Sequence, residues 1–411
     1  MNAAKPGRLL VPLCLAACLF GCGGAAAERP ASSAAPSPSP DPPQVEYLSS
    51  ASTAAGFYDI VLHGDGTGNL VYYDYETMQC VYLSSQPNSD HRDESDTSFL
   101  PTVVGGAWAL ADSRHLYVVK DTCPFAGDEA LEAGYLMRME HSGQGRQTVP
   151  LPSDTRLFGG CAILGEDKML TTLCQVKEDT SEEWYLAEVD FDAGAIRRRL
   201  EFERASAVQL TGACARGPIL ILREPEKERR LCLYDVEQDA LEAIPFDIGD
   251  ETWCLDNTGG TIYCLEGSEI CRYDVASGQR QSTGRSLPAG DWTEAAVNEF
   301  VDGYLSVTLS GPGKEDYDRI ALCLATGEVF RPGMEDEGKP VTVAAVTPEG
   351  YLVKLGGIPV KYQDYTPDGV PFENEAFLSH YAVMDKADFW NGRPSYREFT
   401  NPAYEAYSFD G

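Results

Sequence analysis

Two acidic residues, Asp256 and Glu299, have the side-chain type and placement that glycoside cleavage requires. Glycosidases use paired carboxyl groups, one as the acid and the other as the base or nucleophile. Both residues lie beside segments that we predict to be the inner strands of a ring of sheets. The chain contains 64 Asp and Glu residues, however, so composition alone accounts for such a pair. The pair by itself therefore does not predict catalysis.

Other arrangements typical of catalysis are missing from the sequence. It contains neither the nucleophile-elbow motif Gly-x-Ser-x-Gly nor repeats of the form Ser-x-Asp-x-Gly-x-x-Trp. No Gly-rich phosphate loop leads from a strand into a helix. The histidines form no Ser/His/Asp pattern; they are His63, His91, His115, His141 and His380. We therefore predict that the protein is not an enzyme and has no catalytic residues and no cofactor.

Two acidic loops could in principle bind a cation. The loop from His63 to Asn69 has one carboxylate, too few for the six to eight oxygen ligands of calcium. The segment from Asp364 to Glu375 has four acidic residues without regular spacing, and we interpret it as an acidic loop inserted between strands. No CxxC motif is present, which argues against zinc-ribbon and thioredoxin-like sites. We predict no bound metal.

The N-terminus has the features of an export signal. Lys5 and Arg8 precede an apolar run from Leu9 to Gly21, which is shorter than the roughly 20 residues needed to cross a bilayer. The segment resembles a bacterial lipoprotein signal. This resemblance implies that residues 1–21 are removed and that Cys22 is lipidated, with Cys18 as the alternative acylated residue.

Residues 22–45 form the next region, a linker rich in Pro, Ser and Ala. From Ala25 to Pro43 it has no aromatic residue and no apolar periodicity, so it cannot bury enough surface to fold. We predict a disordered tether. The mature protein would then be lipid-anchored to the cell membrane, on its extracytoplasmic face.

Residues 46–411 contain a repeated hairpin pattern that predicts a single all-β domain. Each copy ends an alternating strand with Asp or an equivalent residue, turns at Gly or Asp, and begins another strand. The clearest copies start at Tyr73, Val189, Tyr234, Tyr273 and Leu322. Their spacing fits blades of about 40 to 50 residues with insertions. Another pair of strand-like runs precedes most copies, which makes four strands per unit.

These repeats predict a seven-bladed β-propeller of four-stranded antiparallel sheets, with six or eight blades as alternative counts and almost no helix. The first unit lacks one strand, and the tail from Tyr404 to Phe409 could complete it and close the ring. Small residues should pack near the axis, where inner strands crowd together. The candidates are Gly105, Gly106, Gly159, Gly160 and Gly212.

Charge and cysteine content restrict the partners. With 32 basic and 64 acidic residues the net charge is −32, which disfavours binding to nucleic acid or anionic lipid headgroups. We expect a monomer.

Among the 13 cysteines, Cys254 and Cys264 could face one another across a hairpin, and Cys161 with Cys174 is a looser candidate pair. The alternative is that these cysteines are reduced, buried apolar residues.

The segment from Leu83 to Asp96 resembles a stretch of clostridial-type propeller lipoproteins in which cysteines flank a proline and a histidine. Here Ser84, Ser89 and Asp96 occupy the cysteine positions, beside His91. With the anchor, the spacer and the repeats, the chain resembles a bacterial lipoprotein with a TolB-like or WD40-like propeller domain. The resemblance implies that any metal or disulfide clip of that group is absent, and we interpret the segment as a solvated polar loop.

We therefore expect a membrane-anchored, non-catalytic propeller that binds or scaffolds a protein or glycan ligand on one face at the cell envelope. Trp184, Trp292 and Trp390 are candidates for stacking on sugars, with packing inside the sheets as the alternative. The alternative function is that of a propeller-type glycoside hydrolase or another carbohydrate-active enzyme.

A Cys22→Ala substitution in the full chain, expressed in a host that acylates lipoproteins, should release the protein from the membrane fraction. The intact mass of the mature N-terminus should lack the lipid, because the acylated thiol is gone. Cys18→Ala is the matched control and should remain lipidated. The reverse pattern would identify Cys18 as the acylated residue.

Overall fold

The computed structural model describes residues 45–86, 89–123, 132–225, 227–248, 252–256, 258–313, 317–336, 339–366 and 370–400. All of these belong to one compact unit, Pro42–Gly411. The predicted signal, Cys18 and Cys22, nearly all of the linker, and the tail from Tyr404 to Phe409 lie outside the described residues. Within the described ranges, no helix has the length and apolar character needed to span a bilayer.

Short antiparallel strands make up almost all of the regular structure, as the sequence predicted. The one helix with bounds inside the described residues is α1 (Lys386–Trp390), which Asp385 caps through hydrogen bonds from the backbone N–H groups of Ala387 and Asp388. The strands are β1 (Val45–Leu48), β2 (Gly56–Leu62), β3 (Gly68–Asp74), β4 (Gln79–Tyr82), β5 (Phe99–Leu100), β6 (Ala107–Ala111), β7 (His115–Lys120), β8 (Tyr135–Glu140), β9 (Gln147–Pro150), β10 (Thr155–Leu164), β11 (Lys168–Val176), β12 (Glu182–Asp190), β13 (Ala195–Phe202), β14 (Ala207–Cys214), β15 (Gly217–Arg223), β16 (Arg230–Asp235), β17 (Ala240–Asp247), β18 (Trp253–Leu255), β19 (Thr261–Glu266), β20 (Glu269–Asp274), β21 (Gln279–Ser286), β22 (Glu294–Val301), β23 (Tyr304–Ser310), β24 (Tyr317–Cys323), β25 (Val329–Phe330), β26 (Glu335–Asp336), β27 (Lys339–Pro340), β28 (Thr342–Val346), β29 (Tyr351–Tyr365), β30 (Pro371–Met384) and β31 (Tyr396–Glu398).

Consecutive strands form four-stranded antiparallel sheets, each in simple sequence order. These sheets are β6–β9, β18–β21, β22–β25 and β28–β31, together with β10–β13 and β14–β17, which one parallel bridge joins, with β1, into a nine-stranded sheet. The first strands of neighbouring sheets contact each other, as β2 does with β6, β10 with β14, and β18 with β22. This all-β arrangement is consistent with a propeller, in which the first strand of each sheet lies nearest the common axis.

The first sheet, whose fourth strand is β5 paired with β3, also makes a backbone contact with the far end of the chain. Strands β2, β3 and β4 form a meander, and Thr400 adds a parallel bridge to Gln79 beyond β4. The N–H of Cys80 donates to the carbonyl of Thr400 at 2.8 Å, and the N–H of Thr400 donates to the carbonyl of Met78 at 3.0 Å. The chain therefore contacts its first sheet at Thr400, before the segment from Tyr404 to Phe409 that the sequence predicted would complete this sheet.

The turn chemistry predicted from the repeats is present in the hairpins. The carboxylate of Asp74 accepts hydrogen bonds from the N–H groups of Glu76 and Thr77 at 2.9 and 2.8 Å. Asp190, Asp235 and Asp274 accept equivalent bonds at the ends of β12, β16 and β20. Each Asp satisfies backbone donors that the turn would otherwise leave unpaired, so it stabilises the hairpin.

Apolar side chains fill the space between neighbouring sheets. Between the last and the first sheet, the ring of Tyr381 on β30 packs edge-on against Phe57 and Tyr73, with ring centroids 5.1 Å apart in both cases. The hydroxyl of Tyr381 donates to the carboxylate of the half-buried Asp59 at 3.1 Å. Sheets from opposite ends of the sequence are thus joined by a core and by a polar contact.

Two parts of the structure differ from the expectation. Residues 45–48, placed by the sequence at the linker boundary, form β1, which pairs antiparallel with β10. The acidic segment from Asp364 to Glu375 is not an insertion loop, because most of it belongs to the long hairpin of β29 and β30, in which Asp364 pairs with Phe372. Neither feature carries a strong pattern in the sequence, since β1 is short and charged residues interrupt the hairpin.

The predicted cross-hairpin pair of Cys254 and Cys264 is wrong. Strand register places Cys254 opposite Tyr263, and Trp253 opposite Cys264. Cys161 and Cys174 are free thiols, and the described residues contain ten cysteines in all. Eight of them are buried, and burial raises the pKa of the Cys161 thiol to about 12. The alternative, that these are buried apolar thiols, is therefore the one the structure supports.

The predicted packing glycines have different roles. A Cβ atom on Gly159 would lie 2.7 Å from the backbone nitrogen of Leu210, and one on Gly212 would lie 2.8 Å from the Cα of Gly259. Gly106 has a positive φ of 101°, and a Cβ there would meet nothing within 4 Å, so its role is conformational. Gly159 is the critical case, because it forms the parallel bridge to Leu210 that joins two sheets.

A Gly159→Ala substitution should lower the free energy of unfolding by about 3 kcal/mol, because a strained positive φ adds to a steric clash with backbone. Gly165→Ala is the matched control, since Gly165 also has a positive φ but a Cβ there meets nothing within 4 Å. The control should lose only about 1 kcal/mol. Chemical denaturation of both variants measures the difference, and equal losses would contradict the close approach at Gly159.

Candidate functional site

A cavity of about 920 Å³ opens where the first strands of several sheets meet. Its walls come from β1, from the segment 49–55 before β2, from the end of β6, and from β22 and β28. These elements are far apart in sequence, and the fold brings them together around one space. The titratable residues that line the cavity are Glu46, Asp112, His141 and Glu299.

Glu299 reaches this cavity through an irregularity in β22. The pairing of β22 with β23 shifts between Val297 and Glu299, which inserts Asn298 as an extra residue. Such a bulge bends the strand and redirects the side chains on either side of it. Register shifts also occur in the first strands β10, β14 and β28. The bulge at Glu299 thus belongs to a feature shared by several inner strands.

The environment of Glu299 raises the pKa of its carboxyl group. The residue retains solvent exposure, yet burial of the carboxyl group by the cavity walls raises its pKa, and the nearby positive charge of Arg319 partly offsets that effect. A carboxyl group with a raised pKa that still reaches solvent is a candidate for proton transfer to or from a ligand.

Glu46 places a second carboxyl group of this kind in the same cavity. It lies on β1, opposite Ile163 of β10. Burial raises its pKa, the negative charge of Asp112 raises it further, and the positive charge of Arg114 acts in the opposite direction. Glu46 is also solvent-exposed. The cavity therefore has two accessible glutamates whose surroundings disfavour ionisation.

Asp112 and His141 form the wall beside Glu46. The carboxylate of Asp112 accepts hydrogen bonds from the N–H groups of Arg114 and His115 at 2.7 and 2.6 Å, and from the hydroxyl of Tyr117 at 2.9 Å. His141 donates through Nε2 to the carbonyl oxygen of Asp112 at 3.1 Å. These hydrogen bonds hold the Asp112 carboxylate in place beside Glu46.

Asp256, the other candidate acid, is not part of this site. Its carboxylate accepts from the hydroxyl of Thr258 at 2.9 Å and from the N–H of Thr261 at 3.3 Å. It therefore stabilises the turn between β18 and β19, and it does not line the cavity. Burial raises the pKa of the Cys254 thiol to about 12, and the charges of Glu299 and Asp256 add to that effect, so both carboxyl groups act on this one thiol.

A second cavity of about 520 Å³ shares Glu299 with the first. Tyr317 and Arg319 of β24 line it, together with Asn298, and Phe389 and Trp390 contribute to its walls. Trp390 is only 4% exposed, and its indole N–H donates to the hydroxyl of Tyr351 at 2.9 Å. This tryptophan packs inside the fold and does not offer an open ring face.

The remaining tryptophan candidates also pack against the protein. Trp184 is 4% exposed and contacts the ring of Phe158 edge-on, with centroids 4.7 Å apart. Trp292 is half-buried, and its indole N–H donates to the carbonyl of Pro288 at 2.9 Å. The packing interpretation is therefore the correct one for all three.

The segment interpreted as a solvated polar loop is exposed over most of its described length, as at residues 92–95, but several of its side chains converge on one buried carboxylate. Asp96 is 1% exposed, and its carboxylate accepts from the Ser84 hydroxyl at 2.7 Å, from His91 Nδ1 at 2.8 Å and from the Ser98 N–H at 2.8 Å. Burial opposes ionisation of Asp96, but hydrogen bonds from Ser89, Ser84 and Ser98 outweigh it and hold its pKa well below the usual range. The predicted residues do converge, around a carboxylate.

The two acidic segments considered for calcium have local roles. Asp65 accepts from the N–H and the hydroxyl of Thr67 at 3.0 and 2.6 Å, which closes its own turn. Glu373 forms an ion pair with Lys361 at 2.8 Å across the β29–β30 hairpin. Within the parts of the chain that the structure describes, no group of three or more His, Cys, Asp or Glu side chains could hold a metal ion.

Sequence reasoning identified Glu299 but missed Glu46, His141 and Arg319. Glu46 lies next to the linker, and the residues around it do not form a pattern that predicts a strand or its register. His141 and Arg319 have no motif around them. The shared cavity is the signal that relates these residues, and it exists only after the sheets assemble.

Comparison with known proteins gives similarity in fold alone. The sequence matches no protein-family model, and no curated protein matches it at a significant level. Among solved structures, the oligogalacturonate lyase of Vibrio parahaemolyticus is similar over 82% of this chain and 92% of its own, with 12% identity and a TM-score of 0.45. TolB of Acinetobacter baumannii is similar over 78% and 79%, with 14% identity and a TM-score of 0.34. An acylaminoacyl peptidase of Pyrococcus horikoshii is similar over 86% of this chain and 54% of its own, with 10% identity and a TM-score of 0.45.

These neighbours correct two expectations. The sequence predicted a non-catalytic binding or scaffold propeller and no enzymatic activity, whereas most of the neighbours are enzymes, a lyase and several peptidases. Both predictions are therefore contradicted. The presence of TolB supports the expected TolB-like propeller fold. At these identities no residue role, substrate or cofactor is transferred from any neighbour to this chain.

An Asp96→Asn substitution should destabilise the protein by about 2 kcal/mol at neutral pH, because buried donors lose a charged acceptor. The folded-state pKa of Asp96 is depressed, so its stabilisation is present above the unfolded pKa of about 3.9 and is lost as the pH falls below it. The difference between wild type and variant should therefore shrink in acid. Asp93→Asn, at an exposed turn residue of the same segment, is the control, and denaturation midpoints across pH measure both.

Proposed function

We propose that this protein is a carbohydrate-active enzyme whose acid–base pair is Glu46 and Glu299. One observation carries the proposal: a single cavity of about 920 Å³ contains two solvent-accessible glutamates, each with a raised pKa. Cleavage of a glycosidic bond needs a proton donor for the leaving oxygen and a second carboxyl group that activates water or attacks the sugar. Two carboxyl groups with different electrostatic neighbours can divide these tasks.

The charges around each glutamate favour one assignment of roles. Burial and the negative charge of Asp112 both raise the pKa of Glu46, which suits this residue to act as the acid. At Glu299 burial also raises the pKa, but the positive charge of Arg319 opposes that effect, so we assign Glu299 the role of the base. In this assignment Glu46 donates its proton to the glycosidic oxygen while Glu299 takes a proton from the attacking water.

The other walls of the cavity suit a polyhydroxylated ligand. Hydroxyl side chains can donate and accept hydrogen bonds with sugar hydroxyl groups. Those that line the cavity are Ser49, Ser50, Ser52, Thr53 and Ser113. Apolar residues of β28, including Val343 and Ala345, provide the remaining surface, against which a sugar ring can pack.

The architecture and location of this enzyme are also part of the proposal. Six complete four-stranded sheets, with the first sheet extended by Thr400, support a count of seven blades. The N-terminal sequence supports a clostridial-type lipoprotein that is acylated at Cys22 and tethered to the extracytoplasmic face of the cell membrane. The domain would act there as a monomer on a glycan, and its acidic surface disfavours nucleic acid as a partner.

Glu46→Gln and Glu299→Gln should each lower kcat by about 100-fold or more on a cleaved glycan, because general acid–base groups contribute on that scale. The assay measures new reducing ends and unsaturated products from a panel of neutral and acidic polysaccharides. The wild-type rate should depend on pH as a bell, and Glu46→Gln should remove its alkaline limb. Unfolding midpoints near the wild-type value would show that each variant remains folded.

Glu294→Gln is the matched control, because Glu294 is exposed on the same strand, β22, and does not line the cavity. It should retain full activity. The proposal fails if no glycan of the panel is cleaved, or if both cavity variants turn over substrate at the wild-type rate.

A further inference from the structure

The second cavity continues the proposed catalytic site on the other side of Glu299. Glu299 lines both spaces, and Val343 of β28 does so as well. A chain of sugars bound in the first cavity can therefore extend past Glu299 into the second, which has a volume of about 520 Å³. The residues of the second cavity would then contact the sugar unit next to the bond that is cleaved.

Arg319 is the basic side chain in the described lining of this second cavity. Arg319 forms no ion pair within 4.0 Å with any residue that the structure describes. Its positive charge acts on Glu299 from a longer distance. Nearby Arg331, by contrast, is paired with Asp318 at 2.9 Å. In a chain with 64 acidic and 32 basic residues, an arginine that faces a cavity without an ion pair is available to a ligand.

Tyr317 adds a second recognition element on the same strand. Residues 317 and 319 are two positions apart on β24, so their side chains leave the same face of the sheet. The side chain of Tyr317 is 72% exposed, the largest value among the exposed apolar and aromatic residues that the structure describes. An open aromatic ring provides a flat surface for a sugar, and the guanidinium beside it can bind an anionic substituent through two hydrogen bonds.

We infer that the second cavity binds an acidic sugar unit, with Arg319 on its anionic group and Tyr317 against its ring. The shared chemistry is an oxyanion carried by a sugar, either the carboxylate of a uronic acid or a sulfate ester. This inference rests on the proposed function, because it assigns a neighbouring subsite to the same catalytic centre.

The overall charge of the protein explains why such a subsite needs a local cation. A net charge of −32 repels an acidic glycan at a distance. A single guanidinium beside the bound sugar can overcome that repulsion at contact range, where Coulomb interactions in a partly desolvated cavity are strongest. Arg319 would therefore determine which glycans bind, while also favouring the ionised form of Glu299.

The test is the affinity of the mature protein for three oligosaccharides of equal length, measured by calorimetry at low and moderate salt. One is an oligomer of a uronic acid, one is a sulfated neutral sugar and one is an unmodified neutral sugar. Arg319→Gln should weaken binding of the acidic ligands about 10-fold or more, since hydrogen bonds between charged groups are worth roughly 1.5–3 kcal/mol. Binding of the neutral ligand should not change, and added salt should weaken only the acidic ligands.

Arg319→Lys should restore part of the affinity, because the charge returns without the planar fork. Tyr317→Ala should weaken all ligands that bind. Arg272→Gln is the matched control, because Arg272 is exposed on β20 and does not line either cavity. The tighter of the two acidic ligands identifies the carboxylate or the sulfate as the natural group.

Equal affinity of wild type for neutral and acidic oligosaccharides would overturn the inference, as would unchanged binding in Arg319→Gln. These outcomes do not depend on turnover. An acidic oligosaccharide that binds through Arg319 but is never cleaved would refute the proposed function alone, whereas cleavage of neutral glycans without an effect of Arg319 would refute only the acidic subsite.

Discussion

The contact between the last and the first sheet is the constraint on which the site depends. The Tyr381 ring packs against Phe57 and Tyr73, and its hydroxyl donates to the carboxylate of the half-buried Asp59. Burial raises the pKa of Asp59, so this carboxyl group is held in an environment that suits a hydrogen bond more than a free charge. Without this contact, β28 and the segment before β2 would not be held against each other as two walls of one cavity.

A closed arrangement of sheets also explains why irregular inner strands are tolerated. The inner strands β10, β14, β22 and β28 each carry a register shift, and an isolated sheet would lose pairing energy at such points. Here the neighbouring sheets cover both faces with apolar side chains, so the fold remains stable while the bulge directs Glu299 into the cavity. Apolar packing between the sheets thus stabilises the fold, and the cavity residues lie on the irregular inner strands.

Charge is distributed unevenly between these two regions. Most acidic side chains are exposed, and many are satisfied by turns, as at Asp74 and Asp112. Glu46 and Glu299 differ because the cavity walls desolvate them while Asp112 and Arg319 bias them in different directions. Acidic residues therefore stabilise turns in one place and have a raised pKa in another, and the surroundings make the difference.

The sequence by itself determined the local rules: alternating strands, Asp and Gly at hairpin turns, and the four-strand repeat that predicts an all-β fold. Those features depend on neighbours two to four residues away, which a single chain displays directly. The sequence did not predict that β1 pairs with β10, because a strand of four residues has little pattern. It also placed Cys254 opposite Cys264, whereas the true register is displaced by one residue, so that Cys254 lies opposite Tyr263. Glu299 was recognisable as a candidate, but Asp256 was indistinguishable from it until its turn hydrogen bonds were known. Only the tertiary structure decided that Glu46, Glu299 and Arg319 act at one place, since desolvation and through-space charge depend on residues that are distant in sequence and near only after the sheets have packed.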